Sequence, residues 1–410
     1  MTRTCLVSLY GNSHVLAALS AVRWYSLQRH GDEDIKVVTV VNTPGFSDVI
    51  MRERGETLTQ IIASQGWPKP ILLNDQDMTE FARSFHKKLT YREILRRFRR
   101  KLGVEHIDEI YYAHDIGGRV PELVMNAFPE AERIIFGDGM GSLYNKTYHL
   151  ALSSGASLSQ ARQALRTRNN FAFRSIRRIL IRRLVDLLLG SPQPYQADKA
   201  VLILPMDQTG DCLDDMELIV VPKQQVQKII SDCQNSIPEL VEYSRGLLAG
   251  EPPPYVLILL ANISDGNFTS LENEVKLYEE IIRRHVTPKT TLFIKGHPLS
   301  VAPLDEMLSI RLSTDYFPRV ISHKFARYPI ELWSELVGDC KVISIAYSNI
   351  SLAFLYNVPV VFPFDDALIE KYISPKYWDF YKDADRLYRG QLANLEKWDG
   401  QSVLWKGSVQ

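Results

Sequence analysis

Apolar, β-rich runs alternate with helical patterns along almost the whole chain, and Gly250-Glu251-Pro252-Pro253-Pro254 interrupts them. Strands separated by helices pair in parallel and bury both faces, so the alternation selects an α/β architecture. Consecutive prolines cannot continue a helix and make a stiff, extended linker. A length of 410 residues also exceeds what one hydrophobic core holds. Two α/β domains are therefore expected, 1–250 and 251–385, with a tail over 386–410.

In the first half, strands are expected over 5–9, 36–41, 109–113, 133–136, 201–204 and 218–221, with helices over 15–28 and 121–128. In the second, strands over 255–261, 290–294, 342–346 and 358–362 alternate with helices over 271–284, 331–336 and 348–356. Both halves read as Rossmann-type units, and no internal repeat relates them.

Composition removes several classes of function. Apolar content of 45% and charged content of 23% are ordinary for a soluble globular protein. The formal net charge is zero, so no global field favours nucleic acid as a partner. Four scattered cysteines show neither metal spacing nor a disulfide framework, which fits a reducing compartment. The first apolar run is broken by Gly11-Asn12-Ser13-His14, unlike a secretory signal, and no stretch approaches the roughly 20 apolar residues that cross a bilayer. A cytoplasmic location is expected.

Charge is uneven locally. Arg92, Arg96, Arg97, Arg99 and Arg100 form one basic stretch; Arg174, Arg177, Arg178, Arg182 and Arg183, interleaved with Phe173, Ile176 and Leu180, form another. A basic amphipathic helix suits a solvated face over a core, or an anionic membrane surface such as the inner leaflet.

Chemistry concentrates in a few loops. Phe293-Ile294-Lys295-Gly296-His297-Pro298 presents a cation and an imidazole where an apolar strand opens into a loop, a usual place to meet an anionic ligand in α/β proteins. Gly296 reads as a residue with unusual backbone freedom, and Pro298 restrains His297. Ile134-Ile135-Phe136-Gly137-Asp138-Gly139 runs from a strand into an acidic residue between glycines, either a plain turn or a carboxylate brought close to a substrate. Glu331 follows Pro329, and Ser348-Asn349 stands at an expected helix start, where a hydroxyl and free amides suit a phosphate; Ser348 reads equally as an N-cap. There is no Gly-X-X-X-X-Gly-Lys-Ser/Thr loop, no Gly-X-Gly-X-X-Gly after the first strand and no Gly-X-Ser-X-Gly elbow. Neither metal-ligand spacing nor a paired-carboxylate glycosidase site appears near these motifs.

In these motifs the sequence resembles bacterial sialyltransferases and polysialyltransferases of GT-B type. Their acidic-acidic-Gly, Lys-Gly-His-Pro-like and Ser-Ser/Thr motifs correspond to Gly137-Asp138-Gly139, Lys295-Gly296-His297-Pro298 and Ser348-Asn349. Glu331 matches the glutamate that holds the cytidine ribose, and the stretch around Asn262 and Ser264 resembles the loop after the first donor-domain strand. The chain departs from the pattern at Gly137, Asn349 and Asn262, where the family has an acid, a hydroxyl and often glutamine.

The resemblance implies a GT-B-like fold, two Rossmann-type domains facing a central cleft, with CMP-sialic acid as donor and a glycan or glycolipid as acceptor. It makes Asp138 and His297 catalytic, and Lys295, Gly296, Pro298, Glu331, Ser348, Asn349, Asn262 and Ser264 donor-binding. Gly139, Asn12 and His114 are assigned to the acceptor side. Neither a metal nor another cofactor is expected. The alternatives are a CMP-Kdo-dependent transferase and a non-catalytic sugar-binding scaffold of GT-B type.

Overall fold

The computed structural model describes residues 2–9, 14–30, 35–42, 48–73, 91–113, 119–137, 197, 199–205, 217–298, 300, 303–346, 349–396 and 404–405. The chain divides into two compact units, Met1–Asp232 with Trp398–Gln410, and Cys233–Lys397. Each is a Rossmann-type α/β domain, the make-up of a GT-B-like fold.

The first unit is built on an 8-stranded sheet. Its strands are β1 (Arg3–Leu9), β2 (Ile35–Asn42), β3 (Ile71–Leu73), β4 (Glu109–Ala113), β5 (Glu132–Gly137), β6 (Lys199–Leu202), β7 (Glu217–Val220) and β13 (Leu404–Trp405). They lie in the order β13-β7-β6-β5-β4-β1-β2-β3, and β13 alone among these pairs runs antiparallel to its neighbour. The connection reverses direction between β1 and β4, which are paired with Cys5 opposite Glu109. All six expected strands form here, β4 with the expected limits and the other five with shifted ends; β3 and β13 are additions.

Helix Val15–Ser20 passes through a π-helical segment, Ala21–Ser26, into Leu27–His30. That path brings Ser26 and His30 onto Glu109, a fully buried carboxylate at the start of β4. Ser26 Oγ and Tyr111 Oη each donate to Glu109 at 2.9 Å, and His30 Nε2 lies 2.8 Å from it. Burial opposes the charge, but the hydrogen bonds from His30, Tyr111, Ser26 and Cys5 outweigh it and hold this carboxyl below its usual range. The network sits at the N-terminal edge of β4, so it serves the packing of this helix rather than the edge where α/β sheets take ligands.

One basic stretch can be placed. Helix Tyr91–Leu102 buries Ile94, Phe98 and Leu102 in the core of the first unit. Arg96, Arg97 and Arg100 stay exposed, sharing Glu93 as ion-pair partner. The apolar side is thus core and the basic side solvated. The second stretch, 162–189, lies outside the described residues.

The second unit holds a 5-stranded sheet in the order β10-β9-β8-β11-β12, every pair parallel. The strands are β8 (Tyr255–Leu259), β9 (Thr291–Lys295), β10 (Phe317–Val320), β11 (Cys340–Ser344) and β12 (Val360–Val361). The chain runs outward from β8 through β9 to β10, then returns to place β11 on the other side of β8. Helices Leu271–His285, Leu304–Leu312 and Asp366–Tyr372 pack Tyr278, Ile282, Leu308 and Leu368 on the sheet.

Strand β10 and helices Leu304–Leu312 and Asp366–Tyr372 are additions to the expected elements, and three others depart from the expected limits. In place of one helix over 331–336 there is a 3-10 turn, Ile330–Leu332, then helix Ser334–Asp339, separated by Trp333 at φ −104° and ψ 37°. Helix Pro238–Leu248 belongs to the second unit, ahead of the proline-rich segment. Tyr243 stacks on Phe325 with centroids 4.2 Å apart, its hydroxyl accepts from Ser322 N at 2.8 Å, and Arg245 reaches Glu335 at 2.6 Å. Helix Trp378–Glu396 runs through position 385, where a tail was expected to begin. Among the described residues, no helix is long and apolar enough to cross a membrane.

Candidate functional site

Ligands of open α/β sheets bind beyond the carboxyl ends of the strands, where the strand order reverses. In the second unit that point lies between β8 and β11, and the loops leaving it begin after Leu259 and Ser344. Asn262 and Ser264 follow β8; Asn349 follows β11; Lys295 ends β9, with Gly296, His297 and Pro298 directly after it. Residues far apart in sequence therefore share one sheet edge. Ser348 lies outside the described residues. So do Asn12, His114, Asp138 and Gly139, although Leu9, Ala113 and Gly137, the last residues of β1, β4 and β5, are described.

Lys295 is buried at 4% exposure, and its Nζ donates to the Ala326 carbonyl at 2.5 Å. Burial pushes its pKa down to about 8, against the pull of the Glu331 carboxylate. The ammonium thus lies beneath the loops rather than in solvent. Glu331, half-buried on its 3-10 turn, accepts from Ser351 Oγ at 2.8 Å, and its carbonyl accepts from the Tyr356 hydroxyl. Glu331 is thus tied at its carboxylate and its carbonyl to helix Ile350–Tyr356, with Lys295 close enough to feel its charge.

The loop after β8 is fastened from below. The Tyr278 hydroxyl accepts from Ala261 N at 2.6 Å. Glu274, fully buried in the first turn of helix Leu271–His285, accepts from Ile263 N at 3.1 Å and Ser264 N at 2.8 Å. Burial raises the Glu274 pKa, while the Ser264 hydroxyl and the loop amides pull it back. Ser264 is therefore engaged with Glu274. The half-buried side-chain amide of Asn262 has no hydrogen bond among the described residues.

Gly296 does not occupy the left-handed region, contrary to the reading of its backbone freedom. Its constraint is space: a Cβ there would stand 3.3 Å from the Asp305 carboxylate. Beyond it, Ser300 N donates to the His297 carbonyl at 3.0 Å, and Ser300 Oγ donates to Asp265 at 3.0 Å. This ties the loop after β9 to the loop after β8 and fixes the half-buried His297 beside them. Asn349 is turned inward, donating to Ser344 Oγ at 2.6 Å and the Ala346 carbonyl at 2.9 Å, so its amide shapes the loop after β11.

The motif reading missed the residues that hold these loops. Glu274 and Tyr278 lie one turn apart on one helix face, a spacing visible in sequence as polar groups on an otherwise buried stripe. Ser351 and Tyr356 carried no such signal.

No protein-family model matches the chain, and no curated protein does. Among solved structures, the UDP-GlcNAc 2-epimerase of Methanocaldococcus jannaschii in complex with UDP-GlcNAc and UDP is 13% identical, with a TM-score of 0.47, over 99% of this chain and 96% of that one. The UDP-GlcNAc 2-epimerase of Neisseria meningitidis bound to UDP-GlcNAc is 12% identical, with a TM-score of 0.46, over 97% and 100%. The E. coli heptosyltransferase WaaC with ADP is 14% identical, with a TM-score of 0.36, over 91% and 91%. At these values the likeness says nothing about chemistry.

Proposed function

We propose that the chain is an inverting glycosyltransferase that moves sialic acid from CMP-sialic acid to a hydroxyl of a bacterial surface glycan. The observation that carries this reading is the meeting of Asn262, the Lys295–Pro298 segment and Asn349 along the carboxyl edge of one parallel sheet, with Glu331 brought to it by its hydrogen bond from Ser351. Composition alone gives no reason for motif residues from four separate segments to share that edge. A nucleotide-sugar site accounts for it.

In this reading Glu331 holds the ribose through its hydroxyls, with Ser351 fixing the carboxylate in place and the Lys295 charge favouring its ionised form. Asp138, which follows β5 of the first unit, takes the proton of the acceptor hydroxyl as general base. The acceptor oxygen bonds to the anomeric carbon as the bond from that carbon to the phosphate oxygen breaks. CMP leaves with the electron pair. His297 hydrogen-bonds or protonates the departing phosphate, and Ser348 adds a hydroxyl to its growing charge. The reaction proceeds without a metal or other cofactor. The enzyme acts in the cytoplasm, its basic surfaces keeping it near a membrane-linked acceptor.

Incubation with CMP-Neu5Ac or CMP-Kdo, following CMP release, tests the proposal and separates the two donor sugars. Asp138→Asn should still bind CMP while transfer falls by at least about 100-fold. Near-normal turnover in that variant removes the assigned base. No release from either donor, with no binding of CMP, overturns the reading as a whole.

A further inference from the structure

The amides that follow the first strand of a Rossmann-type sheet, with the helix N-terminus behind them, are the usual seat of a dinucleotide's pyrophosphate. In the second unit the protein fills that seat itself. We propose that Glu274 is a built-in anion occupying the amide cradle after β8, and that it thereby restricts the donor to nucleotides with a single phosphate. This rests on the CMP-sugar reading and adds to it the residue that enforces the choice.

The geometry is that of an anion in a backbone cradle. Ile263 N donates to Oε1 of Glu274 and Ser264 N to Oε2, so successive amides grip the two oxygens as they would grip a phosphate. The carboxylate is fully buried and cannot yield to a ligand without dismantling the loop. Other donors of the segment are committed as well: Ala261 N to Tyr278, Gly266 N to the Asn262 carbonyl, and Phe268 N to the Ile263 carbonyl. The helix behind it is engaged as well. Ser270 caps it by accepting from Asn273 N at 3.2 Å, and Glu272 and Glu274 in its first turn already compensate the dipole. Asp265, exposed in the same loop, adds a further negative charge. A second phosphate arriving here would meet carboxylates where other Rossmann sheets offer amides. A sugar joined through one phosphate has no charge to place there.

Full-length wild type, Glu274→Ala and Glu274→Gln would be titrated calorimetrically with CMP and CDP, with hydrogen exchange followed over residues 260–266. Wild type should bind CMP at least about tenfold more tightly than CDP, and neither ligand should slow exchange in that segment. Glu274→Ala should shrink the preference by about tenfold, with CDP now slowing exchange there. Glu274→Gln retains an acceptor but loses the charge, so it should move the ratio the same way by less, and it serves if the alanine variant does not fold.

A CDP-to-CMP ratio that is unchanged in a folded variant would show that Glu274 only braces the loop, and the proposal fails. If neither variant folds, the wild type decides: CDP binding as tightly as CMP overturns the proposal, and the expected preference with unaltered exchange supports it. Wild type that binds neither nucleotide removes the CMP-sugar reading and this inference together. CMP binding with an unmoved ratio removes this inference alone.

Discussion

Lys295 carries a cost that can be read in solution. Its ammonium is buried, with the Ala326 carbonyl at 2.5 Å and Glu331 as the charge that favours it. Its pKa is about 8 in the folded chain against an ordinary value of 10.5. Below about pH 8 the lysine is protonated in both states, and the folded state carries the full penalty, roughly 3 kcal/mol. Between about pH 8 and 10.5 the unfolded chain binds more protons, so this residue's contribution to stability rises with pH. Lys295→Met keeps most of the volume and removes the titration. In denaturant unfolding, the stability difference between wild type and Lys295→Met should move in favour of wild type by up to about 3 kcal/mol from about pH 7 to about pH 10. A difference that stays flat across that range would mean the lysine is not held below its ordinary pKa. The sequence shows a lysine at the end of an apolar strand, but not which way its side chain turns. That is decided by the Ala326 carbonyl, 31 residues downstream.

Helix Pro238–Leu248 shows why boundaries are harder to read than strands. Proline stiffness marks where secondary structure stops, whereas a domain ends where packing stops. This helix precedes the prolines yet packs on the segment around Phe325 and Trp333. The strands were legible because strands buried on both faces appear as unbroken apolar runs, and β4 was read with its observed limits, Glu109 to Ala113. Strand β10 was hidden because it is an edge strand containing Pro318 and Arg319, and β3 because it spans only 3 residues. The site was legible to a similar depth. Loop residues after apolar strands stand out, but Glu274, in a helix's first turn, reads equally well as dipole compensation. For the helix itself, burial and stacking should outweigh charge. Tyr243→Ala removes the stack on Phe325, the edge contact with Trp333 and the acceptor of Ser322 N, and should destabilise the second unit by about 2 kcal/mol. Arg245→Ala removes an exposed pair with Glu335, and such pairs contribute little. Thermal unfolding of both variants checks the ranking, and a larger drop for Arg245→Ala would show that the ion pair, not the ring, fastens this helix.

For the molecule as a whole, a formal net charge of zero means that attraction to an anionic surface has to come from a local excess. Fields are screened within about 8 Å at physiological salt, so distant acidic residues do not cancel such a patch. Helix Tyr91–Leu102 supplies one: the side chains of Arg96, Arg97 and Arg100 are 65%, 45% and 67% exposed, with Glu93 as their common partner. Each basic residue near an anionic leaflet is worth about 1 kcal/mol before salt attenuates it. Glu93 offsets part of the patch, so the attraction suits reversible contact rather than anchoring. The prediction is that the protein co-sediments with vesicles containing phosphatidylglycerol, not with purely zwitterionic ones, and that added salt releases it. Changing Arg96, Arg97 and Arg100 together to Gln leaves the buried side, Ile94, Phe98 and Leu102, untouched and should weaken partitioning by at least about tenfold. Unchanged sedimentation of a folded triple variant would show that this basic face is only solvated surface. The attraction would then have to be sought in the arginines between 162 and 189.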